Sequence, residues 1–182
     1  MDSMPVKPVA SRGFGAAPLP LSEAAAELAG VRPSKTCPPA SQEGFFSWPV
    51  RVYWEDTDAG GIVFYANYLK FFERSRTEWL RSLGLEQQQL RQSTGGIFVV
   101  SESRVRYHRP ARLDDELIVT AKMLEKGRAS LIIGQSALLK TEQSSFSTVL
   151  CEGTIRIGWV DALSLKPARI PTQILDRLEN LL

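Results

Sequence analysis

Hydrophobic positions change their spacing along this chain, and the changes mark its elements. From Asn67 to Leu83 they recur at helical intervals. Tyr68, Phe72, Trp79 and Leu83 share one face, Leu69 and Leu80 flank it, and Lys70, Arg74, Glu78 and Arg81 lie on more polar faces. That spacing predicts one long amphipathic helix, with Gly84 as its natural stop. Before it, Trp48–Trp54 (WPVRVYW) reads as a strand rich in aromatic and valine residues. After it the spacing changes to alternation. Ile97–Tyr107 is one strand. Glu116–Glu125 places Leu117, Val119, Ala121 and Met123 on one side. Ala129–Lys140 places Leu131, Ile133, Ala137 and Leu139 together, and Phe146–Val160 does the same for Val149, Cys151, Ile155, Ile157 and Trp159. Turns are expected at Glu125–Arg128 and Thr141–Ser145. Strand, long helix and four strands with short connections predict an α+β architecture, a curved antiparallel sheet wrapped around one central helix.

The first part of the chain lacks this patterning. Eight of the eleven prolines fall in the first fifty residues, with four basic and four acidic residues that cancel. Residues 1–44 are therefore expected to be a poorly ordered extension, with a short helix possible only at Leu21–Gly30 (LSEAAAELAG) if it docks. The opening MDSMPVKPVA has no apolar core of a secretory signal, and no run of about 18 apolar residues predicts a membrane span.

Composition narrows the chemistry. The 182 residues suit one domain, with 43% hydrophobic and 23% charged residues. A net charge of +2 argues against a dedicated nucleic-acid binder. The only cysteines are Cys37 and Cys151, so neither a disulfide framework nor a cysteine-rich zinc site is expected. The single histidine, His108, excludes an HExxH site. A reducing, cytoplasmic location is the simplest expectation.

The segment Tyr53–Tyr68, YWEDTDAGGIVFYANY, carries the most chemistry. Asp56 and Asp58 precede a glycine pair, and the chain then enters the helix. A helix N-terminus presents unpaired N–H groups and partial positive charge. A carboxylate beside such donors could attack a carbonyl or activate water while the N–H groups stabilise an oxyanion. DTDAGG could equally be a plain turn closed by Asx hydrogen bonds. A calcium loop is rejected: Gly60 stands at its fifth ligand position and Asn67 where the twelfth requires Glu.

Three stretches resemble a known family: EDTDAGGIVFYANYLKFFERSRTEWLRSLG from Glu55, YHRPARLDD from Tyr107, and the last strand followed by KPARIP from Lys166. They are similar to the hotdog-fold acyl-CoA thioesterases of the 4-hydroxybenzoyl-CoA thioesterase/YbgC group, which includes Tol-Pal-associated members. The resemblance covers roughly residues 46–174 and favours an active site over a turn. It implies a five-stranded sheet around one helix over residues 45–182. It also implies acyl-CoA hydrolysis without a cofactor, coenzyme A being part of the substrate. Asp58 aligns with the catalytic aspartate. Tyr65 aligns with the residue whose backbone N–H polarises the thioester carbonyl; many Tol-Pal-associated members have histidine there. Lys126 and Arg128 flank the turn near which relatives bind nucleotide phosphates. Homodimers or homotetramers are implied, and acyl carrier protein is an alternative to coenzyme A as carrier. An aryl-CoA thioesterase and a non-catalytic acyl-binding module are the rival readings.

Other residues draw plainer expectations. Asp56 is expected only to form the turn, Glu73 to pair with Arg76 or Thr77, and Asn67 to cap the helix. Arg104, Arg106 and His108 alternate on one strand face, which suits cross-strand pairing or phosphate. His108 and Cys151 are expected to be structural.

Overall fold

The computed structural model describes residues 44–140 and 148–179. The expected extension over 1–44 with its short helix, the Thr141–Ser145 turn and the start of the last strand at Phe146 fall, apart from Gly44, outside the described residues.

Five strands form one antiparallel sheet: β1 (Phe46–Arg51), β2 (Gly96–Tyr107), β3 (Glu116–Lys126), β4 (Ser130–Leu139) and β5 (Thr148–Asp161). Their spatial order is β1-β3-β4-β5-β2, so β1 and β2 are the edges. The helix α1 (Asn67–Ser82) packs on one face of the sheet. This is the hotdog arrangement. Leu117, Val119, Ala121 and Met123 of β3 point inward with Leu131, Ile133 and Ala137 of β4, as their alternation predicts.

The helix forms where its apolar spacing places it. Tyr68, Phe71, Phe72, Trp79 and Leu80 are buried, each such side chain contributing roughly 1.5–3 kcal/mol of burial. Leu69, read as flanking the buried face, is 37% exposed. Phe72 fits because Gly153 on β5 has no side chain: a Cβ there would lie 2.7 Å from the ring. Ser75, buried at the centre of α1, donates from Oγ to Val119 O at 3.0 Å and ties the helix to β3. Gly84 (φ +69°) ends the helix, and Leu85 N–H returns to Leu80 O at 2.9 Å.

Four differences from the sequence expectation have physical causes. The first strand spans Phe46–Arg51 rather than Trp48–Trp54, because Trp54 begins a single 3-10 turn (Trp54–Asp56) and is 79% exposed. A second helix, α2 (Gln87–Thr94), was not expected. Its sequence QQQLRQST has no apolar stripe and buries no residue. A third, α3 (Thr172–Glu179), buries Ile174 and Leu178 one turn apart. In β5, Leu150 is buried beside Cys151 while Val149 is only half-buried, because a register shift opposite Ala137 and Leu138 displaces the alternation.

Candidate active site

The loop between β1 and α1 is pinned at three levels. Asp56 is 1% exposed, and its Oδ2 accepts the Tyr53 N–H at 3.0 Å. Its carbonyl accepts both the Phe64 N–H and the Asn67 Nδ2, each at 2.9 Å. Asp56 therefore does more than form a turn: it braces the loop against the start of α1. Asn67 is not the helix cap expected of it. It is the first residue of α1, and Ala66 precedes it without a side-chain cap. The Asn67 amide reaches back to the loop instead, which is why it is buried.

Asp58 sits at the exposed tip of this braced loop. Its backbone N–H donates to Ile62 O at 2.9 Å, and its carbonyl accepts the Gly61 N–H at 3.0 Å. Gly61 adopts φ +71°, which glycine tolerates without strain. One carboxylate oxygen, Oδ1, accepts the Gly60 N–H at 2.8 Å. Among the described residues Oδ2 has no donor. The carboxylate is thus oriented by one bond and open on its other oxygen.

Tyr65 follows seven residues later, just before α1. The Phe64 N–H is taken by Asp56 O, and the Asn67 N–H by Phe64 O at 2.8 Å. Among the described residues the Tyr65 and Ala66 N–H groups between them have no protein acceptor. They are orphan donors at the positive end of a sixteen-residue helix. The Tyr65 side chain is 63% exposed and meets the Tyr107 ring edge-on at 6.4 Å.

The second stretch of the resemblance, Tyr107–Asp115, is the bracket behind this loop. Tyr107 Oη donates to Tyr65 O at 3.0 Å. The Ala111 N–H donates to the buried Tyr68 Oη at 3.0 Å, while Ala111 O accepts the Val63 N–H at 2.9 Å. Ile62 and Arg112 form an antiparallel bridge. Arg112 N–H is held by Asp115 Oδ2 at 2.7 Å. Burial raises the pKa of both Tyr68 and Tyr107, so both phenols keep their protons at neutral pH. Sequence reasoning did not assign these tyrosines to the site; their place in the matching stretches was the available signal.

Lys126 and Arg128 stand elsewhere, at the turn after β3. The Asp58 loop adjoins the opposite end of that strand, where Val52 exchanges hydrogen bonds with Asp114 and Asp115. Ten residue steps along β3 from Glu116 to Lys126 amount to about 33 Å of strand. One chain therefore carries Asp58 and Tyr65 on the same loop before α1 and holds Lys126 and Arg128 at the other end of β3. The third matching stretch lies at that far end too: Ile170 N–H donates to Arg128 O at 2.9 Å.

The remaining expectations divide. Glu73 pairs with Thr77, whose Oγ1 donates to it at 2.7 Å; Arg76 turns instead to Gln135. Arg104 pairs with Glu102 at 2.8 Å and His108 with Glu152 on β5 at 2.8 Å, so these members of the basic row are held in surface pairs. Cys151 is buried.

Comparison with known proteins identifies the family. Residues 52–178 match the model of the thioesterase-like superfamily. Acyl-CoA thioesterase YbgC of Haemophilus influenzae is 40% identical over 129 residues, covering 71% of this chain and 90% of that protein. The crystal structure of a probable thioesterase from Bartonella henselae is 29% identical, with a TM-score of 0.62, and covers 70% of this chain and 99% of its own. A 4-hydroxybenzoyl-CoA thioesterase mutant in complex with 4-hydroxybenzoyl-CoA shares the fold at a TM-score of 0.68 and 17% identity, over 74% of this chain and 98% of that one.

Proposed function

The chain belongs to the thioesterase-like superfamily and is an acyl-CoA thioesterase, and we propose that Asp58 and the N-terminus of α1 carry out its hydrolysis. The thioester carbonyl oxygen accepts the Tyr65 N–H, which polarises it and stabilises the negative charge that develops in the transition state. Asp58 then either attacks the carbonyl carbon or takes a proton from an attacking water. The carbon–sulfur bond breaks and coenzyme A leaves as a thiolate. An ordinary thiol has a pKa of about 8.5, so this leaving group needs no strong acid. In both routes water supplies the oxygen and protons that end as a carboxylic acid and the free thiol.

The observation that carries this reading is the rigid link between the two parts. Asp56 O accepts bonds from both Phe64 and Asn67, which tie the loop bearing Asp58 to the donors at the start of α1. Preorganisation of this kind costs nothing at the moment of reaction. No histidine and no cofactor are needed. Thiol release across short-chain, long-chain and aromatic CoA thioesters tests the proposal; no release from any of them would sink it. The same panel tests the aryl-CoA reading, which the exposed Tyr65 ring beside Tyr107 favours as an aromatic wall.

The proposal extends to assembly. β2 is a twelve-residue edge strand, and open edges of that length are normally covered. A homodimer, or a tetramer of two dimers, covers them. It also supplies a route for Lys126 and Arg128 to reach the coenzyme A phosphates of a neighbouring protomer's substrate. Among the described residues no helix is long and apolar enough to cross a membrane. A cytoplasmic location, read from the sparse cysteines, and, on the strength of the resemblance, an association with the Tol-Pal system and acyl carrier protein as alternative carrier complete the proposal.

A further inference from the structure

Arg76 is a buried cation whose one hydrogen-bond partner among the described residues is neutral. It is 9% exposed, and its Nη1 donates to Gln135 Oε1 at 2.7 Å. Gln135, itself 3% exposed, is committed further by donating from Nε2 to Phe72 O at 3.0 Å. Among the described residues Arg76 forms no ion pair, and its Nε and Nη2 have no protein acceptor. Burial lowers its pKa, and the charge of Glu73 one turn away works against that shift. Among the described residues no enclosed side-chain nitrogen or oxygen lacks a partner, so these two nitrogens are not sealed in the protein and face open space.

Arg76 lines a cavity of about 100 Å³ between α1, α2 and the sheet. Trp79, Phe98 and Ile157 supply apolar wall. The polar groups facing it are already engaged with one another: Gln87 Nε2 donates to Thr77 Oγ1 at 2.8 Å, and Thr77 donates to Glu73 at 2.7 Å. The guanidinium is the cavity's free hydrogen-bond donor, and it faces an occupant beside the charge of Glu73, which lines the same cavity. The cavity also lies in line with the catalytic end of the helix. Ala66, Leu69, Glu73 and Thr77 follow one another at helical spacing along one stripe of α1. Leu69, midway, offers an exposed apolar surface. From Tyr65 to Arg76 the helix rises roughly 16 Å, which the backward lean of helical side chains shortens. An aromatic ring is too short for that span, and a medium-length chain fits it.

We propose that this cavity receives the oxygen-bearing far end of a medium-chain acyl group, a terminal hydroxyl or carboxylate that accepts from the Arg76 guanidinium. Arg76 is then a specificity-determining residue for ω-oxygenated acyl-CoA thioesters. The inference rests on the reading that the thioester carbonyl sits at the Tyr65 N–H. Hydrogen bonds to a charged group in a desolvated site are strong enough to discriminate an acyl end that has an acceptor from one that lacks it.

The test compares kcat/KM for decanoyl-CoA, ω-hydroxydecanoyl-CoA and sebacyl-CoA in the full chain. The unaltered enzyme should favour at least one oxygenated substrate over decanoyl-CoA by about tenfold or more. Arg76→Met should erase that ratio, and Arg76→Lys should restore part of it. Equal rates for all three substrates in the unaltered enzyme overturn the proposal, as does a ratio that persists in a folded Arg76→Met protein. Where loss of the Gln135 link prevents folding, Val100→Trp fills the cavity from an exposed position on β2. It should erase the same preference, and retention there is equally fatal. The two readings fail separately. Full turnover by Asp58→Asn would sink the catalytic reading, whereas unselective but Asp58-dependent turnover sinks only this one.

Discussion

The phenol of Tyr107, at the end of an edge strand, donates its hydrogen bond to the backbone carbonyl of Tyr65, immediately ahead of α1. That bond fixes the peptide between Tyr65 and Ala66 from outside the helix. It thereby restrains the backbone at the residue whose N–H is proposed to meet the substrate. Tyr107→Phe keeps the ring contacts with Tyr65 and Tyr68 and removes only the donor. It should lower stability by about 1 kcal/mol and turnover by about fivefold. Thermal melting and steady-state rates read the two effects apart, and unchanged turnover would show that the restraint is dispensable.

Asp58→Asn and Asp56→Asn should fail in different ways. At Asp58 the amide can still accept from Gly60 but can neither attack nor take a proton. Turnover should drop by at least about a hundredfold with little change in melting temperature. At Asp56, buried two residues before Asp58, the amide replaces a carboxylate and leaves an N–H₂ group to be satisfied. Stability should fall by about 1–3 kcal/mol, and turnover much less than in Asp58→Asn. Equal loss of turnover in the two proteins would mean that Asp58 is not the catalytic carboxylate.

Gly153→Ala tests the seat of α1 on the sheet. The added methyl would lie 2.7 Å from the buried Phe72 ring, which has no open space to enter. Overpacking of this kind costs about 1–3 kcal/mol. A melting temperature equal to that of the unaltered protein would show that the contact is looser than the geometry implies.

Burial pushes the Cys151 thiol up to about 12. At neutral pH the thiolate, the form that reacts, is scarcely populated. In the native protein a maleimide should leave Cys151 unmodified, and denaturant should expose it. Peptide mapping by mass spectrometry reads the outcome; rapid native labelling would contradict the burial.

Glu116 should contribute a small acid-sensitive increment. The hydrogen bond and charge of Lys140, with Arg51 beyond, hold its carboxyl below the usual range. A lowered carboxylate pKa stabilises the fold above the unfolded value, and that gain is lost as pH falls through the folded value. The side chain is 31% exposed and its partners are surface residues, so solvent screening keeps the effect modest. Glu116→Gln should flatten the acid limb of stability below about pH 4, as followed by denaturant unfolding, and should change little at pH 7.

What the sequence made legible follows from where burial is one-sided. α1, β3 and β4 each bury a single face, so their apolar residues repeat with the period of the element. α2 touches the core only through the half-buried Leu90, and no period marks it. Tyr53 and Trp54 look like strand residues by type, yet both are exposed beside the site, so composition overran the end of β1. Position 135 falls in the inward row of β4 but carries glutamine. Its partner Arg76 lies on another element, and no local pattern links them. At the site the loop, its glycines and the helix start were readable in one stretch. The bracket at Tyr107–Asp115 was not, because its hydrogen bonds join segments distant in the chain.

The crossed strand order has a consequence for how the molecule is made. β3, β4 and β5 can pair as each emerges, but β2 must wait for β5, where Gly96 meets Asp161 and Tyr107 meets Cys151. Such non-local pairing slows folding. Until β5 arrives, Tyr107 has no fixed position from which to hold the start of α1. During synthesis the start of α1 therefore gains its Tyr107 tether only after β5 has emerged from the ribosome and paired with β2.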